Sequence, residues 1–133
     1  MHIRDLLLPA LRTKFPDRPF TVGTPPDPIA TFPAAHPDVG DLVITDDGAE
    51  ATVFVGDLTH GHFGPYDQTS SPAQVADRAT DEIVDFLALL FADRVLLWSV
   101  PGHSGGWRLL THDGREPPRQ ANTFLWSGPC DRP

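Results

Sequence analysis

Between Ser70 and Val100 the chain carries its most restrictive pattern, a capped amphipathic helix followed by a wholly apolar run. Ser70-Ser71-Pro72 supplies a helix cap and a proline at the first helical position, where its missing N–H costs nothing. From there Val75, Ala79, Ile83, Phe86, Leu87 and Leu90 recur at helical spacing and form one apolar stripe. Arg78, Asp81, Glu82 and Asp85 fall on the opposite, wet face, with Arg78 four residues before Glu82. The pattern predicts a helix over 72–92, ending near Ala92-Asp93. Arg94-Val95-Leu96-Leu97-Trp98-Ser99-Val100 then reads as a buried strand. A one-sided helix of this length must lie on something, and the β-rich runs around it supply a sheet.

The hairpin signals are of the same kind. Asp41 to Thr45 reads as a strand, Asp46-Asp47-Gly48-Ala49-Glu50 as a turn, and Ala51 to Gly56 as the returning strand. Val53 and Val55 share one face and Phe54 takes the other, which predicts a central strand apolar on both sides. Residues 2–14 read as a short helix with Ile3, Leu6, Leu7, Ala10 and Leu11 inward and a kink at Pro9. Residues 19–22 form a short strand candidate, and 23–40, with its prolines, an irregular connection. Pro101 to Gly105 reads as a hairpin turn, 106–111 as a further strand, Asp113-Gly114 as a second turn and 123–126 as the last strand. "LLWSVPG" at 96–102 and "FLWSGP" at 124–129 echo each other as two strands with similar turns, too briefly to be a repeat.

The expected fold is a single two-layer α+β domain over 1–133. It has a mixed, mostly antiparallel sheet of five to six strands, with the long helix and an N-terminal helix packed on it. The strand at 51–58, the helix at 72–92 and the strand at 94–100 are expected to form a right-handed crossover unit. A chain of 133 residues with 40% hydrophobic and 21% charged residues can bury one such core.

The balance of charge narrows the partners. The formal net charge is −8, and Lys14 is the only lysine. Nucleic-acid affinity rests on cations neutralising phosphates, so a nucleic-acid partner is not expected. Anionic membrane surfaces are disfavoured for the same reason. A basic protein partner suits the charge, and a homodimer is the second partner reading. Cys130 is the single cysteine, which rules out an internal disulfide and a cysteine metal cluster. The N-terminal run carries an acid among few apolar residues and does not read as a signal peptide. The apolar run from Ile83 to Val100 is broken by Asp85, Asp93 and Arg94, so it does not read as a membrane span. The default compartment is the cytoplasm.

Chemistry-bearing residues concentrate in Gly56-Asp57-Leu58-Thr59-His60-Gly61-His62-Phe63 and the loop after it, which contains Tyr66 and Asp67. If the strand continues, His60 and His62 share a face, because strand side chains alternate. Two such imidazoles could hold a transition metal with Asp57, Asp67, His103 or His112 as a further ligand. Glycines at 56, 61 and 64 and the lack of a nearby cysteine argue against that, and favour the exit of a central strand facing a polar depression. No cofactor is expected.

Asp41 at the start of one strand and Asp57 at the end of its partner make a second pattern. With the order helix, strands, helix, strand, this resembles the core of restriction-endonuclease-like proteins. That family places an Asp on one hairpin strand and an acid, any residue and Lys on the next. The resemblance implies a nuclease-like fold over about residues 2–100, with Asp41 and Asp57 as its acidic pair. The competing reading of the function is an enzyme, a metal-dependent hydrolase using Asp41, Asp57, His60 and His62 at the end of the strand 51–58. Here Asp57-Leu58-Thr59 puts Thr59 where the lysine belongs, so the motif is broken. His103-Ser104-Gly105-Gly106 carries neither a nucleophile elbow nor a phosphate loop and reads as a turn. Trp98, Trp107 and Trp126 all lie on strand candidates and read first as sheet packing, second as a partner surface. The expected function is binding of another protein, by analogy with small acidic inhibitor, immunity-type or adaptor proteins, with no intact catalytic motif. The candidate binding residues are Asp41, Asp57, Thr59, His60, His62, Tyr66, Trp98 and Trp107.

Overall fold

The computed structural model describes residues 2–64, 69–111 and 115–131. It is an α+β fold with two helices and two antiparallel sheets. Helix α1 spans Ile3–Lys14 and buries Ile3, Leu7 and Leu11, which recur every fourth residue. Asp5 lies in its first turn and Arg12 and Lys14 in its last, each complementing the helix dipole. The helix runs through Pro9, which sits on the exposed side where a carbonyl left without its donor can meet water.

Five strands follow in a meander: β1 (Thr21–Val22), β2 (Ala30–Phe32), β3 (Leu42–Asp46), β4 (Ala51–Val55) and β5 (Thr59–Phe63). They are neighbours in that order, each pair antiparallel. The β3–β4 turn is the expected one. The Asp46 carboxylate accepts from the Gly48 N–H at 2.8 Å, and Gly48 takes φ +95, which only glycine adopts cheaply. Two features depart from expectation. Strand β2 lies inside the proline-rich connection, and its three residues are too few to show alternation. The segment 51–63 is not one strand with a polar exit. Gly56-Asp57-Leu58 turns the chain, and β5 returns against β4 from Thr59 opposite Val55 to Phe63 opposite Ala51. Gly56 makes the reversal with φ +52, its Cα packed against Gly40, where any side chain would strike the Val39 carbonyl.

Helix α2 spans Pro72–Phe91. Ser71 and Gln74 close a reciprocal capping box: the Ser71 Oγ accepts from the Gln74 N–H at 3.2 Å, and the Gln74 Oε1 accepts from the Ser71 N–H at 2.8 Å. A Ser71→Ala variant should therefore lose about 1 kcal/mol in urea melts; an unchanged midpoint would mean the box contributes nothing in solution. The helix ends where Asp93 enters the left-handed region at φ 60, with the Arg94 N–H reaching back to the Leu89 carbonyl and the Asp93 N–H to that of Leu90. The Asp93 carboxylate then accepts from the Ser127 N–H at 3.0 Å and ties the helix end to the last turn of the chain.

The second sheet is formed by β6 (Val95–Val100), β7 (His103–Leu109), β8 (Asn122–Leu125) and β9 (Gly128–Pro129), in the order β7-β6-β8-β9. The expected parallel crossover into one mixed sheet does not form. Strand β4 already has β3 and β5 on its two edges, so β6 has no place beside it and nucleates a sheet of its own with β7 and β8. One core joins the layers: Ile3, Leu7 and Leu11 of α1, Ile83, Leu87 and Leu90 of α2, the inward residues of β2–β5, and Leu97 and Trp126 of the second sheet region. Among the described residues no helix is long and apolar enough to cross a membrane.

Candidate functional site

The outer face of the first sheet, away from both helices, gathers the exposed side chains best suited to binding. On β4 the inward Ala51, Val53 and Val55 alternate with the outward Thr52 and Phe54. Across the ladder Phe54 stands opposite His60 and Thr52 opposite His62, while Val43 and Thr45 of β3 continue the face on the other side. Phe54 is 37% exposed, and the two histidines are exposed as well. The Phe54 and His60 rings lie 5.5 Å apart, and those of His60 and His62 5.0 Å apart at 80°. The result is a short aromatic row of one phenyl and two imidazole rings.

A hydrogen-bond relay orients one end of this row. The Thr52 hydroxyl donates to the Asp47 carboxylate at 3.0 Å, and the same oxygen lies 3.0 Å from His62 Nδ1. A hydroxyl has one hydrogen, already given to Asp47, so His62 must donate from Nδ1. The expectation that the two histidines share a face holds, and the reason is β5 itself: they are two residues apart on a paired strand.

The other sequence candidates are distributed elsewhere. Asp41 and Asp57 line a common depression of about 360 Å³ with Asp38, Gly40, Gly56 and Leu58; the histidines do not line it. The Asp41 carboxylate accepts from the Ala34 N–H at 2.8 Å, and its carbonyl from the Gly56 N–H at 2.8 Å, so Asp41 ties β3 to the segments on either side. Thr59 is buried opposite Val55, on the inner side of β5. Tyr66, Asp67 and His112 lie outside the described residues, as does the Asp113-Gly114 turn. Among the described residues, no three of His, Cys, Asp and Glu are grouped as metal ligands. Thr59 begins its own strand after the turn holding Asp57, so the acid-x-Lys geometry has no counterpart here.

Trp98 and Trp107 do lie on neighbouring antiparallel strands, but they face opposite ways. Trp107 pairs with Leu97 and turns to the core, its ring 4.8 Å from that of Phe86. Trp98 pairs with Gly106 on the other face, where its indole lies over that glycine and the Arg115 guanidinium stands 5.9 Å from its ring. An added Cβ at Gly106 would enter the indole, so the residue across the ladder from Trp98 must be a glycine. Cys130 is half-buried, and burial together with the charges of Asp131 and Asp93 outweighs a Thr123 hydrogen bond to push its thiol up.

Sequence reading missed Thr52, Phe54 and Asp47 as site residues. The available signal was the alternation itself: Phe54 between Val53 and Val55 must point away from whatever those valines enter. No protein-family model matches the chain, and comparison with curated proteins and with solved structures finds no significant match.

Proposed function

We propose that the protein is a small binding domain that engages a basic protein partner through the outer face of its five-stranded sheet. The observation that carries this reading is the Phe54–His60–His62 row, exposed on a sheet whose other face takes both helices. An aromatic centre with polar surroundings suits an interface hot spot. The net charge of −8, and Asp47 at the edge of the row, favour a cationic partner over an anionic one. A metal-dependent hydrolase would need Asp41, Asp57 and the histidines around one ion, and their distribution between a depression and a sheet face gives that reading no support.

The test is capture from the native cell with the wild-type chain and with a Phe54→Ser, His60→Ala, His62→Ala variant, followed by titration of the purified partner. A partner rich in Lys and Arg, bound at least about tenfold more weakly by the variant and more weakly at high salt, is the expected result. Equal binding by a variant that melts like the wild type would move the interface elsewhere. A dimer in sedimentation that Phe54→Ser dissolves would make the partner a second copy.

A further inference from the structure

On a different side of the molecule, two of the cations that lack carboxylate partners among the described residues, Arg12 and Arg18, line depressions beside an open sheet edge. Arg4, Arg78 and Arg108 each stand within 4.0 Å of a carboxylate. Arg12, Lys14 and Arg18 meet none among the described residues, and residues 12–18 carry these three cations to one acid, Asp17. In a chain of net charge −8 this is a local reversal of sign. Two of the cations lie over aromatic rings: Arg18 is 4.3 Å from the ring centre of Phe91, and Arg12 is 5.9 Å from that of Phe20. Arg18 Nη2 also donates to the Phe91 carbonyl at 3.4 Å, which leaves the remaining N–H groups of its planar fork for a carboxylate.

Two depressions of about 210 and 240 Å³ adjoin at Arg18 and Pro19. The first is walled by Phe32, Phe91 and Trp126 and also lined by Asp17 beside Arg18, the second by Phe15, Phe20 and Val22 with Arg12 and Arg18. Trp126 is only 3% exposed, and its indole N–H has no acceptor among the described residues. Beside the second depression runs β1, the edge of the first sheet, with Val22 43% exposed. The Gly23 N–H bonds inward to the Ile29 carbonyl. Alternation along an antiparallel strand therefore turns the N–H and C=O of Val22 out toward the open edge.

We infer that this region docks an extended acidic segment of a partner protein as an added strand on β1, its apolar side chains in the aromatic depressions and its carboxylates on Arg12 and Arg18. Strand addition supplies main-chain hydrogen bonds, and pockets for alternate side chains supply the selectivity. The sequence pattern that fits is an alternation of acidic and apolar residues, because strand side chains point alternately to two faces. The site is separate from the outer-face row and does not depend on it.

The experiment titrates the isotope-labelled full chain with a capped synthetic peptide of about eight residues alternating Glu and Leu, and with the same peptide carrying Lys for Glu. The Glu peptide should produce saturable shifts at the Val22, Gly23 and Phe91 amides and at the Trp126 indole N–H, and the Lys peptide none. Arg18→Glu should weaken binding at least about tenfold by replacing attraction with repulsion. Arg18→Gln, which keeps most of the stem, should weaken it less. Val22→Pro keeps an apolar ring at an edge position that tolerates proline but removes the outward N–H, and should also weaken binding. The His60→Ala, His62→Ala variant should bind the peptide as the wild type does, which separates this site from the outer face. Shifts elsewhere, equal response to the Lys peptide, or full binding by well-folded Arg18→Glu would overturn the proposal. Full binding by Val22→Pro would overturn the strand addition.

Discussion

Replacing Phe86 with alanine should lower the unfolding free energy by about 3–5 kcal/mol. The ring is only 7% exposed and lies where three layers meet. It projects from α2, stands 5.8 Å from Phe63 of β5 in the first sheet and contacts Trp107 of β7 in the second. Truncation would leave a void bounded by two large rings on separate sheets, and neither can collapse into it without moving its own strand. Phe86→Leu should recover most of the loss, to within about 1.5 kcal/mol of wild type, because it restores most of the volume. Urea unfolding followed by tryptophan fluorescence measures both. A loss under about 1 kcal/mol for Phe86→Ala would place the ring outside the core.

Gly105→Ala should cost as much through the opposite fault, about 3 kcal/mol or more. Here β7 passes between two backbone segments, and the register between β6 and β7 shifts between Trp98 and Val100 to let it through. A methyl group at position 105 would run into the carbonyl oxygens of both Leu58 and Trp98. Neither atom belongs to a side chain, so no rotamer change can relieve the overlap, and the two sheets would have to separate. Gly61→Ala is the contrast. Its added carbon would meet Trp107 and Phe63 at ordinary contact distances of 3.4 Å and beyond, so its effect should stay within about 1 kcal/mol. Thermal melts of the two variants side by side provide the check. A Gly105→Ala protein that melts like the wild type would mean the sheets do not abut at Leu58.

Several elements were legible from consecutive residues. The 72–92 helix emerged within one residue of its observed end, because its stripe, its proline and its capping serine all act within a few turns of chain. The Asp47-Gly48 hairpin and the β6–β7 pairing were equally local, although β7 starts at His103, inside the 101–105 segment that reads as a turn, so that only Pro101-Gly102 separates the two strands. The His60–His62 pair was found for the same reason: alternation along one strand puts residues two apart on one face. Strand β2 was not legible, being three residues whose only strong argument for pairing is the exposed edge of β3.

The sequence by itself determined the α+β class, the two helices with their buried faces, the surplus of acid and the presence of a chemically rich segment at 56–63. Each of these follows from composition or from periodicity within a single element, and needs no knowledge of what lies opposite. Only the tertiary structure decided that the strands form two sheets, that 51–63 folds back on itself, and that Trp98 and Trp107 face opposite ways. It also decided that Asp41 and Asp57 share a depression away from the histidines, and that Arg18, Phe91 and Trp126, from three distant parts of the chain, wall one cavity. These outcomes depend on which strand edge is already occupied and on which backbone can approach another closely enough. That is a competition among non-local contacts, and a local pattern carries no record of its result.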